Sequence, residues 1–320
     1  MMEKILVTGS LGQIGSELVD KLRGMYGNDN VIASDLMKKD EQIELIEAGP
    51  FELLDVMDGE AILNVVKKHG IKRIVNLAAL LSAVGEKNPH KCWQINMGGV
   101  VNCLEIAKDH GLSVFTPSSI ACFGPTTPKD KTPQETVQRP NTMYGVTKVA
   151  GELICDYYHS KFGVDTRGVR FPGLISYKTL PGGGTTDYAV EIYYEAIKKG
   201  SYDSFIDANT YMDMMYMPDA IDAIVHLMNA DPSRLRYRNA YNITAMSINP
   251  LDIEKSIKKF MPDFKLGFNV DPVREAIAQS WPNSLDDSPA REDWDFSPKY
   301  DLDKMTEDML KNLMIKLDIK

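Results

Sequence analysis

This chain has no basic excess, no clustered cysteines or histidines and no long apolar run, and each gap removes a class of function. Lysines and arginines number 36 against 45 aspartates and glutamates, a formal net charge of −9 at pH 7. Nucleic acids and anionic membranes are usually met by a basic footprint, so neither is expected as a partner. No apolar stretch approaches the roughly 20 residues that a membrane span requires. Cys92, Cys103, Cys122 and Cys155 lie far apart and form no C-x-x-C pair. They read as reduced thiols in a cytoplasmic protein rather than as a disulfide frame. The five histidines are equally scattered, with no H-E-x-x-H, and no protein-built metal site is expected. Strand-like sequence starts at "KILVTG", which leaves no room for a signal or transit peptide.

What is present is a regular alternation. Over the first 170 or so residues, the β-rich runs "KILVTG", "NVIASDL", "RIVNLAA", "SVFTPSS" and "DTRGVRFPG" are separated by helix-length segments such as "SELVDKLRGMYG". "FELLDVMDG" adds a short strand with Asp55 at its tip. Strands alternating with helices imply an α/β fold, a doubly wound parallel sheet covered on both faces. After Gly173 the rhythm changes to a Gly-rich loop and further helices, which reads as a second, smaller, mostly helical C-terminal lobe. The expected division is 1–173 for a nucleotide-binding domain, with part of 209–245 returning to it. Residues 174–208 and 246–320 would then form the substrate lobe.

"VTGSLGQIGSELV" places Gly9, Gly12 and Gly15 between a strand and a helix. Glycines there allow a tight turn and let backbone N–H groups approach a pyrophosphate at the helix N-terminus. Asp35, about 20 residues after Gly15, ends the second strand. Its carboxylate can accept from both hydroxyls of the adenosine ribose and would repel a 2′-phosphate, which favours NAD over NADP despite Lys38 and Lys39 nearby. Asp55 and Val56 are expected along the adenine. Leu77, Ala78 and Ala79 would let the fourth strand's backbone run close to the cofactor.

"TMYGVTKVAG" puts Tyr144 and Lys148 one helical turn apart. A free tyrosine is too weak an acid to serve as a base at neutral pH, but an ammonium group one turn away stabilises the phenolate. Upstream, "PSSIACFG" presents Ser118 and Ser119 at the end of a strand.

T-G-x-x-G-x-x-G, a strand-end serine and Y-x-x-x-K together resemble the extended short-chain dehydrogenase/reductase superfamily, across the whole first lobe. The resemblance implies a Rossmann-type NAD-binding domain with Tyr144 as general base. Lys148 is implied as its tuner and ribose ligand, and Ser119 as the hydrogen-bond partner of the reacting oxygen. Gln13, Ile14, Asn96 and Leu174 are assigned to the cofactor on the same footing.

Nucleotide-sugar members of the superfamily carry an Arg-x-x-Asn-Val-x-Gly-Pro type segment after the catalytic helix. Here "VRFPGLISYK" has Pro172 and Gly173 instead. "PGGGTTDYAVEIYYEA", "MMYMPDAI", "NAYNITAMS" and "SWPNSLDDSPAREDWDFSPKYDLDKMTEDML" resemble the zinc-independent, short-chain type L-threonine 3-dehydrogenases. That branch implies NAD-dependent oxidation of L-threonine at C3 to L-2-amino-3-oxobutyrate by hydride transfer, and relatives commonly form homodimers. A zwitterionic substrate needs both an anion site and polar partners. "GGGTTD", from Gly182 to Asp187, offers backbone N–H groups of Gly184 and its neighbours, with Thr185, Thr186 and Asp187, at a helix start. Capping of that helix by a threonine is the competing structural role. Ser82 is a further candidate for the amino acid, and Trp281 for an apolar lid. The alternatives are a nucleotide-sugar 4-epimerase or dehydratase, and a non-catalytic NAD sensor.

Overall fold

The computed structural model describes residues 3–179 and 184–319. In chain order the first half contains β1 (Lys4–Thr8), α1 (Gln13–Tyr26), β2 (Val31–Asp35), α2 (Ile43–Glu47) and β3 (Phe51–Leu53). It continues with α3 (Gly59–His69), β4 (Ile71–Asn76), α4 (Ser82–Lys87), α5 (Pro89–His110), β5 (Ser113–Phe115) and β6 (Ser118–Ser119). Then come α6 (Met143–Phe162), β7 (Asp165–Arg167), β8 (Val169–Phe171) and β9 (Gly173–Ile175). The second half holds α7 (Tyr188–Lys199), β10 (Ser201–Ser204), β11 (Met212–Tyr216), α8 (Met217–Asn229), β12 (Tyr241–Asn242) and β13 (Met246–Ile248). It closes with α9 (Pro250–Ile257), β14 (Lys265–Phe268), α10 (Pro272–Ser280), α11 (Ser288–Trp294) and α12 (Leu302–Lys316).

Six strands form one parallel sheet in the order β3-β2-β1-β4-β5-β7. The period-2 geometry of a strand explains why both of its faces are covered. In β1, Ile5 and Val7 enter one core with Leu18 and Leu22 of α1 and Ile224 of α8. Leu6 enters the opposite core with Ile62 of α3, Leu104 of α5 and Tyr158 of α6. The strand order reverses between β1 and β4, and the crevice outside the carboxyl ends at that point is where such sheets bind ligands.

Beyond the sheet's carboxyl edge the strands bend and change partners. β6 pairs with β8, β12 lies beside β8, and β9 pairs with β11, which also carries antiparallel β13. β10 and β14 make a separate parallel pair. A third core, from Tyr188 and Tyr193 of α7, Ile253 of α9 and Met305 and Met309 of α12, fills the C-terminal lobe. The segment around α8 packs back on the sheet through Met217 and Ile221. Ala290 and Trp294 of α11 share that same sheet core, although they lie inside the stretch 246–320 expected for the substrate lobe. β3 ends at Leu53, so Asp55 and Val56 stand on the following loop rather than on the strand.

Candidate active site

Glycines stand in the turn after β1 where a side chain would not fit. Gly9 adopts φ +66°, and a Cβ there would meet the Ala78 backbone nitrogen at 2.8 Å. At Gly15 a Cβ would stand 2.3 Å from the Gly9 carbonyl. Gly12 caps α1 without any side-chain hydrogen bond, which leaves the first N–H groups of the helix available to an anion. Ser10, fully buried beside them, has a hydroxyl with no hydrogen-bond partner. Asp35 holds the turn in shape: its carboxylate accepts from the Leu11 amide at 2.9 Å and from the Leu36 amide at 2.8 Å. Lys39 is spent on the Leu11 carbonyl, 2.8 Å away. This backbone cradle with an orphaned hydroxyl and a fixed carboxylate fits a dinucleotide such as NAD.

From the cradle a cleft of about 270 Å³ runs along the carboxyl edge of the sheet. Gly9, Gly12, Gln13, Ile14 and Gly15 form its floor, with Leu77 and Ala79 from the loop after β4. Ser119, Tyr144, Lys148 and Leu174 also line it. Ser82, Gly184, Thr185, Thr186, Asp187 and Trp281 complete the lining. Sequence positions from 9 to 281 thus meet in one crevice. Gly182 lies outside the described residues.

The local architecture of the tyrosine helix follows from its sequence. Thr142 caps α6 by accepting from the Gly145 amide at 3.1 Å. Glu86 accepts from the Met143 amide at 2.6 Å, a carboxylate at the positive end of the helix. Gly145 is where α6 touches the turn after Ser119: a Cβ there would lie 2.2 Å from the Ala121 carbonyl. Tyr144 and Ser119 line the same cleft. The Lys148 ammonium sits 5.3 Å from the centroid of the Tyr144 ring and donates to the Pro117 carbonyl at 2.8 Å. The Ser119 hydroxyl accepts from the Ala121 amide at 3.2 Å and borders the cleft. Ser118 is different, because its hydroxyl donates to Glu152.

Glu152, one turn beyond Lys148, is buried and paired with Arg170 of β8 at 2.8 Å. It also accepts from Gln138 at 2.7 Å. This network, absent from the sequence reading, clamps α6 onto β6 and β8. Extending Y-x-x-x-K by one more helical turn would have found it.

Several expected cofactor residues stand outside the cleft. Ala78 and Asn96 line a small recess behind Lys148. Asn96 is committed to the protein: its amide accepts from the Leu80 N–H at 2.8 Å and donates to the Leu80 carbonyl and the Thr147 hydroxyl, both at 3.1 Å. It holds the β4 loop to α6. Asp55 is exposed and accepts from the Met57 amide at 2.9 Å, while Val56 is buried next to Gly99.

Also lining the cleft, Thr185–Asp187 form a short 3-10 turn leading into α7. The Thr185 hydroxyl is buried and has no hydrogen-bond partner. Asp187, by contrast, accepts from the Gly184 amide at 2.5 Å. Trp281 is 6% exposed, sharing its surface between the lobe core and the cleft wall. Among the described residues, no three His, Cys, Asp or Glu side chains gather as a metal-holding group, and no helix is long and apolar enough to cross a membrane.

Comparison with known proteins gives the arrangement its relatives. The chain is 61% identical to an L-threonine dehydrogenase from Clostridium difficile, covering 98% of each chain with a TM-score of 0.97. An L-threonine dehydrogenase from Phytophthora infestans is 49% identical over 98% of this chain and 100% of its own, with a TM-score of 0.94. An uncharacterized epimerase/dehydratase of Staphylococcus haemolyticus is 58% identical over 97% of each chain. Residues 5–244 match the NAD dependent epimerase/dehydratase family, and the chain belongs to that family.

Proposed function

We propose that this protein is an NAD-dependent L-threonine 3-dehydrogenase, converting L-threonine to L-2-amino-3-oxobutyrate. The observation that carries this reading is one small cleft holding the glycine cradle, the Ser119–Tyr144–Lys148 set and the unpartnered Thr185 hydroxyl together. Similarity to threonine dehydrogenases over nearly the whole chain supports it.

Bound NAD supplies the acceptor for the hydride that leaves C3. Tyr144, as phenolate, takes the proton from the C3 hydroxyl, so a carbonyl forms as the C–H bond breaks. The Lys148 ammonium, 5.3 Å from the centroid of the ring, is a positive charge held beside it. Ser119 donates to the substrate oxygen and fixes its direction. Thr185 and the neighbouring backbone bind the amino acid's carboxylate end, and Ser82 and Asp187 face its ammonium end. The cleft lining also argues for a small substrate. Gly173 occupies the place of the asparagine in the nucleotide-sugar pattern, and a Cβ there would meet Met214 Sδ at 2.3 Å and Thr186 Cγ2 at 2.7 Å. An asparagine would fit only if the Met214 and Thr186 side chains shifted.

Purified protein given NAD and L-threonine at mildly alkaline pH should produce NADH absorbance, and a well-folded preparation that stays silent rules the reading out. Tyr144→Phe should lower turnover by roughly a hundredfold to ten-thousandfold, the usual worth of a positioned base, with NAD affinity nearly unchanged. We also propose that two copies pair through α5 and α6, whose outer surfaces expose Trp93, Leu153, Tyr157 and Phe162.

A further inference from the structure

Between Ser119 and Tyr144 the chain makes a long excursion, 123–142, without a helix or strand of its own. A loop of that length inside a compact fold is either disordered or held for a purpose. This one is held. Its tip runs beside residues 279–286 of the C-terminal lobe. The Asn283 and Ser284 amides donate to the Lys129 carbonyl at 2.7 and 3.3 Å, and the Thr132 amide donates to the Ser284 carbonyl at 2.9 Å. The Lys131 amide donates to the Ser284 hydroxyl at 2.8 Å.

The Lys129 side chain adds a second hold. Its ammonium donates to the carbonyls of Gln279 and Trp281, the latter at 2.8 Å. These carbonyls lie at the C-terminal end of α10, where the helix dipole favours a cation. The side chain is half-buried there, and burial pushes the lysine's pKa down. Trp281, whose backbone is fixed in this way, walls the same cleft as Ser82, Thr185 and Tyr144.

We propose that Lys129 is a positioning residue for substrate specificity. By pinning the Trp281 backbone it sets how far the indole reaches into the cleft, and so limits the size of the 3-hydroxy amino acid that fits. This rests on the threonine reading above.

Lys129→Met keeps the aliphatic stem and removes the cation. It should raise KM for L-threonine about tenfold with a smaller change in kcat and none in NAD affinity. The kcat/KM for bulky 3-phenylserine relative to threonine should rise. Trp281→Ala should move that ratio the same way, and the double variant no further than Trp281→Ala alone, since both act through one contact. Lys129→Arg, which can also donate to the two carbonyls, should restore the ratio. A merely structural lysine would lower stability and leave the ratio alone; an unchanged ratio, or additive effects in the double variant, overturns the proposal. Hydrogen exchange of the peptide spanning 279–286, measured without substrate, should quicken in Lys129→Met whether or not the enzyme acts on threonine. The wild-type assay judges the threonine reading separately. If Lys129→Met fails to fold, Lys129→Gln, a shorter neutral donor that cannot reach both carbonyls, must shift the same ratio; no shift again refutes the proposal.

Discussion

Adjacent serines 118 and 119 look alike in a one-dimensional pattern, yet they have separate tasks. Neighbouring side chains on a strand point to opposite faces. Both border the cleft, but Ser118 spends its hydroxyl on Glu152, while the Ser119 hydroxyl only accepts from the Ala121 amide. The motif spacing singled out Ser119, but the reason lies in the partner that Ser118 has found. Thr185 shows the converse: a threonine at a helix start suggests a cap, and here the hydroxyl caps nothing. A buried hydroxyl without a partner costs the fold stability unless a ligand satisfies it. Thr185→Val, which keeps the shape, should therefore leave the melting temperature unchanged or slightly higher while raising KM for L-threonine by about fivefold to twentyfold. Thermal melts and steady-state kinetics on one preparation check both halves, and an unaltered KM would demote Thr185 to packing.

Among the elements, α6 was the most legible and β11 the least. α6 announces itself by the Thr142 cap, the Y-x-x-x-K face and the Gly163 stop at φ +73°. Its exact placement depends on Gly145, which the motif does not explain and the 2.2 Å approach to the Ala121 carbonyl does. Gly145→Ala should force α6 away from that turn, costing about 1–3 kcal/mol of stability, the usual range for overpacking. Turnover should fall with it as Tyr144 is displaced. Denaturant midpoints and kcat would show this, and full activity in the alanine variant would mean that the helix can shift freely. β11, "MDMMY", is buried along its whole length. A strand buried on both faces loses the alternation that marks strands in sequence, and its sequence ran into the helix that follows. β10 and β14 are similarly silent, because their pairing joins segments some 60 residues apart.

At the level of the molecule, buried polar contacts join segments distant in the chain, and Asp213 of β11 makes two of them. It accepts from Thr244 at 2.5 Å and from the Leu285 amide at 2.8 Å, and burial pushes its pKa from 3.8 to about 8. The folded protein thus keeps a proton that the unfolded chain releases near pH 4. Stability from this group is full below that value and is lost as pH rises towards about 8. Asp213→Asn preserves the hydrogen-bond geometry with no charge, so its melting temperature should decline less than that of the wild type between pH 5 and 8. Parallel profiles would show that Asp213 is not the group responsible. The proposed pairing of two copies has its own check. Wild type should run as a dimer in light scattering after size exclusion, and Leu153→Asp, at a position 62% exposed, should yield monomers.

The sequence by itself determined the α/β class, the glycine cradle, Asp35 and the tyrosine–lysine face, because each is written in short-range spacing that a strand, turn or helix converts directly into geometry. Only the tertiary structure showed that Asn96 bonds to Leu80 and Thr147, that Glu152 and Arg170 clamp α6, and that Lys129 holds the Trp281 carbonyl. Those contacts join residues distant in the chain, and burial and hydrogen-bond partners across such distances exist only once the lobes have packed.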